Sequence, residues 1–266
     1  MSVLHDDRPS ATVARLLLGR QFELARMVRG LTLEQVAGAL FVSTSKLSRI
    51  ERGRHRAAGD DVVRLVDFYG IHGRDRDRLL EWSRQALGRS VYHSFADVAD
   101  ASSRDYLEVE AAGLRAVYMP QVLPAVVRTR HYARELLGPV SSVEADRRLW
   151  LLGLRQQRFF QTGRATVRIL LGETVLAPGV VGPGVMREQY RRLLQAPVEV
   201  RVLPALRTAL APSGFAVAVL GGGWLMLVAR ERDDGRPCLA PDHNGRAASR
   251  FEDLWQAAAD LRELVA

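Results

Sequence analysis

Cysteine is almost absent: Cys238 is the only one in 266 residues. One cysteine cannot close an internal disulfide, so the fold has to rest on its cores, and a reducing cytoplasm is the compartment this suits. An apolar signal core is also missing, because Asp6, Asp7, Arg8 and Pro9 interrupt the first twenty residues. The uncharged stretch 208–229 has the length of a membrane span, but Pro212 and the run Gly221, Gly222, Gly223 break it. It reads as two short apolar strands joined at the glycines, and no membrane contact is expected.

Catalytic and metal signatures are equally scarce. The six histidines, His5, His55, His72, His93, His131 and His243, form no i, i+4 pair and have no cysteine ligand set, so no metal or other cofactor is expected. The triple glycine is too short for a nucleotide loop and lacks the lysine or helix start of a phosphate cradle. Asp242, His243 and Asn244 form a turn-like segment near Cys238. A Cys–His nucleophile there would lack an oxyanion-binding motif. The chain is therefore not read as an enzyme. The alternative is an enzyme with its active site in the C-terminal domain, the N-terminal domain being appended to it.

What is present is a soluble-protein composition, 47% hydrophobic and 26% charged, with length enough for two cores. The net charge of +8 is concentrated. Residues 15–56 carry nine basic against three acidic residues, a net of +6, which leaves +2 for the rest. Such a segment suits a polyanion, since each phosphate neutralised releases counterions. Almost all the bases are arginine, as high-GC coding would also produce.

Periodicity predicts five helices in the first stretch. The first carries Leu17, Leu18, Phe22, Leu24, Ala25 and Val28. Thr32 caps the second, with Gln35 at capping-box spacing. Ser43 caps a third, 44–52, which Gly53 stops. The fourth and fifth cover about 60–69 and 75–87. Residues 89–105 are polar and read as a linker. This gives three regions: 1–88 (core 15–70), an all-α DNA-binding domain; 89–105; and 106–266, an α+β domain with a mixed or antiparallel sheet. Helices are expected at 107–117, 129–137, 143–160, 184–194 and 247–264. Strands are expected at 165–171, 198–203, 215–220 and 224–229.

On the third helix Leu47 and Ile50 share one face. The opposite face presents Ser45, Ser48, Arg49 and Arg52, flanked by Thr44 and Lys46. A helix in the major groove needs this set: small hydroxyls for close approach and a guanidinium that reaches guanine O6 and N7. Arg52, Arg54, His55 and Arg56 follow, suited to phosphate or minor-groove contact.

Residues 31–53, LTLEQVAGALFVSTSKLSRIERG, resemble the Xre-type, phage-repressor-like helix-turn-helix regulators. The matching residues are Thr32, Gln35, Val36, Ala37, Val42, Ser43, Leu47, Ser48, Ile50, Glu51 and Gly53. The resemblance implies base contacts by Thr44, Ser45 and Arg49, a phosphate contact by Ser43, and an ion pair between Arg26 and Glu51. An inward carboxylate at Glu51 also demands a cation on its own account. Leu33 departs from the polar residue usual in the family, so Thr32 or Gln35 would supply that phosphate contact. More faintly, residues 105–266 resemble the C-terminal domain of unknown function in actinobacterial regulators of the WhiJ kind. The carriers are YLEVE at 106–110, LPAVVRTRHY at 123–132, RQQR at 155–158, residues 189–194 and VEVRVLP at 198–204. That resemblance implies an antitoxin-like regulator, often paired with a small partner protein. The resulting expectation is a homodimeric, sequence-specific regulator of transcription on double-stranded DNA. Its C-terminal domain would dimerise or take a partner protein or small-molecule effector. Arg155, Gln156, Gln157 and Arg158 read as a solvated helix face, an anion or partner contact being the alternative.

Overall fold

The computed structural model describes residues 9–161, 167–177, 179, 181–211, 213–223, 225–231 and 236–265. Contacts divide the chain into two compact units, Met1–Val91 with Leu220–Leu225, and Tyr92–Val219 with Met226–Ala266.

The first unit has five helices among its described residues: α1 (Ala11–Val28), α2 (Leu33–Ala39), α3 (Thr44–Glu51), α4 (Gly59–Phe68) and α5 (Gly73–Ala86). α1 starts earlier than its apolar stripe suggested, because Ser10 caps it through the Val13 amide. Leu17, Leu18, Phe22, Val36, Leu47, Ile50, Val62, Leu65 and Leu79 are buried. They are the positions that helical periodicity puts on one side. α1 and α3 pack so closely at Gly19 that a Cβ there would sit 2.5 Å from the Glu51 carbonyl oxygen. Gly53 ends α3 with φ +63°, the left-handed conformation that glycine adopts without penalty.

The second unit is α+β. Its described elements are α6 (Ala101–Gly113), β1 (Leu114–Met119), α7 (Arg130–Glu135), α8 (Ser142–Gln161), β2 (Val167–Gly172), α9 (Pro183–Gln195), β3 (Val198–Leu203), α10 (Ala205–Leu210), β4 (Phe215–Leu220), β5 (Leu225–Glu231), β6 (Pro237–Pro241), α11 (Arg246–Gln256), β7 (Ala259–Asp260) and α12 (Leu261–Val265). The sheet order is β6-β5-β4-β1-β2-β3-β7. β1, β2 and β3 run parallel, while β4 on β1 and β7 on β3 are antiparallel, so the sheet is mixed. Strand alternation feeds two cores. Val117, Ile169, Leu171, Val198, Val200 and Val202 pack with Met186 and Leu193 of α9. Ala116, Tyr118, Leu170, Leu203 and Val217 pack with Phe251 and Trp255 of α11.

Three expectations are corrected. The helix expected over 107–117 ends at Gly113, and residues 114–117 are strand, because Ala116 and Val117 pair with Arg168 and Ile169 of β2. The helix expected over 247–264 breaks after Gln256, where Ala259 and Asp260 pair with Val202 and Arg201. In both, long-range pairing overrides local periodicity. The stretch 89–105 is structured: Tyr92 and Phe95 are buried, and Ser102 and Ser103 bind the Asp100 carboxylate at the start of α6. The short loop after β1 includes a buried 3-10 turn at Ala125–Val127. Ala165, Thr166 and Trp224, expected at strand ends, lie outside the described residues. Among the described residues no helix is long and apolar enough to cross a membrane.

Candidate nucleic-acid interface

α2, the turn 40–43 and α3 form the element on which the residues expected to contact DNA sit. Thr32 accepts from the Gln35 amide at 3.2 Å, and the Gln35 side chain accepts from the Thr32 amide at 2.8 Å, a complete capping box. Ser43 caps α3 through the Lys46 amide at 3.1 Å. Thr32, Gln35 and Ser43 stay exposed while fixing the two helix starts.

The inward side of α3 is Leu47, Ile50 and Glu51, all buried. Ser45, Arg49 and Arg52 are exposed, and Thr44, Lys46 and Ser48 are half-buried. The Arg49 Nε donates to the Ser45 carbonyl at 3.3 Å. Lys46 differs from its neighbours: its ammonium is held by the Asp61 carboxylate of α4 at 2.8 Å, so its charge is partly spent inside the unit. Arg54, His55 and Arg56 are exposed past the end of α3, where the Arg54 and His55 amides donate to the Arg49 carbonyl at 2.8 and 3.1 Å.

α3 is tied to α1 by Arg26, whose Nε and Nη2 donate to the two Glu51 carboxylate oxygens at 2.8 Å each. The hydrogen bonds to Glu51 hold the guanidinium above its ordinary pKa against the opposing effect of burial. Nη1 donates to the Leu31 carbonyl at 3.0 Å, reaching the start of the next helix too. One arginine thus sets the position of both helices of the motif.

The second unit holds a different kind of site. A cavity of about 680 Å³ is lined by residues of β1, β4 and β5 and of α6 and α8. Arg155 reaches it from α8 and donates to both oxygens of the buried Glu110 at 2.6 and 2.5 Å. Burial works against the Arg155 charge, but Glu110 outweighs it and raises the pKa. Burial and the Glu110 charge together push the Tyr106 hydroxyl far above its usual range. Gln156 donates to the Ala125 and Arg128 carbonyls at 2.8 Å each. Arg155 and Gln156 are therefore not on a solvated face, while Gln157 stays exposed: helical spacing alone gives no sign of partners 28 to 45 residues away. Asp242, singled out beside His243, accepts the Ala247 and Ala248 amides at 3.1 and 3.2 Å and so begins α11. Among the described residues no group of three histidine, cysteine or carboxylate side chains is placed to hold a metal.

Residues 17–79 match a helix-turn-helix domain, and residues 103–263 match the family described as a domain of unknown function (DUF5753). No curated protein matches the chain, and no solved structure does. A helix-turn-helix domain makes DNA the partner of the first unit. The second match spans more than half of the chain, which therefore belongs to the DUF5753 family, with a helix-turn-helix DNA-binding domain at its N-terminal end.

Proposed function

We propose that the protein is an Xre-type transcriptional regulator that reads a specific sequence in double-stranded DNA with α3, acting by binding rather than by catalysis. The observation that carries this is the two-sidedness of α3: Leu47, Ile50 and Glu51 are buried, and Ser45 and Arg49 are exposed. Arg49, with Thr44, Ser45 and Ser48, would contact base edges. Thr32, Gln35, Ser43, Arg52, Arg54 and Arg56 would contact phosphates or the minor groove, with Lys46 adding what Asp61 leaves of its charge. The chain would work in the cytoplasm as a homodimer, each copy reading one half-site, with the half-sites about one helical turn apart. The second unit would supply the regulatory input, by an effector in its cavity or by a small partner protein as in antitoxin-like regulators of the WhiJ kind. A ligand that favours one of two states of the regulator shifts their populations.

Selection of bound sequences from random duplex DNA by the full-length chain tests the reading. The expected result is one enriched motif with two related halves. A bound pool with no enriched sequence would overturn it.

A further inference from the structure

The cavity of the second unit has the size of a small-molecule site, about 680 Å³. Much of its wall is apolar, with Leu107, Leu114, Val117 and Phe215 among the residues that line it. Among the described residues its charged lining is unbalanced: Arg128, Arg155 and Arg230 stand against Glu110. Both Glu110 oxygens are already bound by Arg155.

Arg128 is therefore left with no carboxylate in direct contact among the described residues, and Glu110 acts on it only as a weaker, more distant charge. Its Nε donates to the Leu123 carbonyl at 2.7 Å, and among the described residues it forms no ion pair. Burial, reinforced by the neighbouring Arg155, lowers its pKa to about 10, so it is still a cation at neutral pH. Leaving a desolvated cation unpaired is costly, and a protein ordinarily meets that cost with a partner.

The placement of Arg128 is also rigid. Its carbonyl is held by Gln156 at 2.8 Å. On either side, fully buried Gln189 donates to the Val127 carbonyl at 2.8 Å and accepts the Thr129 amide at 2.7 Å. Two glutamines from two helices thus fix the backbone that presents this guanidinium, an arrangement suited to orienting one group of a ligand.

We propose that the cavity binds a small organic anion with an apolar body, its acidic group paired with Arg128 and its body against Leu107, Val117 and Phe215. The Arg155–Glu110 pair lines the same cavity as a neutral wall. The proposal rests on the reading of the second unit as the regulatory one, and its test measures ligand and DNA separately.

Fluorescence titration of the full-length chain with anilinonaphthalene sulfonate and with its sulfonate-free parent, phenylnaphthylamine, isolates the contribution of the anion. The expected result is one bound sulfonate probe per chain, about ten-fold or more tighter than the parent. Arg128→Gln should remove that preference without weakening the parent probe, and Arg128→Lys should keep most of it. Equal affinity of the two probes for the unmutated chain overturns the proposal, and needs no variant to fold. So does absence of binding, or a preference that survives in a folded Arg128→Gln chain. DNA affinity measured in the same samples separates the two readings. Sulfonate binding that leaves DNA affinity unchanged supports the site and removes its regulatory role.

Discussion

The Arg26 guanidinium of α1 and the Glu51 carboxylate of α3 meet in two parallel hydrogen bonds of 2.8 Å, across 25 residues of sequence. The pair is mostly out of water, with 15% and 5% side-chain exposure, and it fixes the helix that carries Arg49. Arg26→Ala would leave Glu51 buried without its cation, at a cost of about 3 kcal/mol. The combined Arg26→Met, Glu51→Leu chain should recover most of that stability. Thermal unfolding followed by circular dichroism checks both, and equal losses in the single and double variants would contradict the account.

Gly19 tests the same helix contact from the packing side. Its missing Cβ leaves room for the Ile50 and Glu51 carbonyl oxygens. Gly19→Ala improves helix propensity by ~1 kcal/mol but forces α3 outward, and overpacking against backbone costs about 1–3 kcal/mol. A net loss of stability is expected, together with weaker DNA binding. A gain in melting temperature would show that the two helices are not packed this closely.

Phe41, in the turn between α2 and α3, has φ +54° and a side chain 91% exposed. Left-handed backbone costs a non-glycine residue roughly 1–2 kcal/mol, and glycine gives back less than that in unfolded-chain entropy. Phe41→Gly should therefore raise stability by about 0.5–1 kcal/mol, read as an upward shift of the melting temperature.

Asp100 caps α6, accepting from the Ser103 amide at 2.7 Å and the Ser102 hydroxyl at 2.9 Å. The Ser103 amide bond is the main reason its pKa lies below the ordinary value of 3.8. A carboxylate lowered in this way stabilises the fold above the ordinary value, and the contribution is lost as pH falls through the folded one. Asp100→Ala should cost about 1 kcal/mol near neutral pH. The gap between the two chains should narrow at pH 3, and melting curves at both pH values give the comparison.

The helix-turn-helix was legible in the sequence because its determinants are local. Ser43, Leu47, Ile50 and Gly53 lie within eleven residues, and capping and periodicity act over that range. The strand at 198–203 could be anticipated from Val198, Val200 and Val202, which alternate with Glu199, Arg201 and Leu203. The conversion of residues 114–117 and 259–260 to strand could not, since only pairing with distant strands decides it. The cavity was hidden for the same reason. Glu110, Arg128 and Arg155 each sat in a segment singled out by resemblance, yet nothing local says that Glu110 neutralises Arg155 and leaves Arg128 over.

The most direct test of the central claim compares Arg49→Ala and Arg54→Ala with the unmutated chain, on the selected duplex and on an unrelated one, over a range of salt concentrations. Loss of a bidentate guanine contact should cost about 1–3 kcal/mol on the selected duplex and almost nothing on the unrelated one. Loss of a phosphate contact should weaken both alike and reduce the salt slope by about 1. An Arg49→Ala chain that binds the selected duplex as tightly as the unmutated chain would contradict the placement of α3 in the major groove.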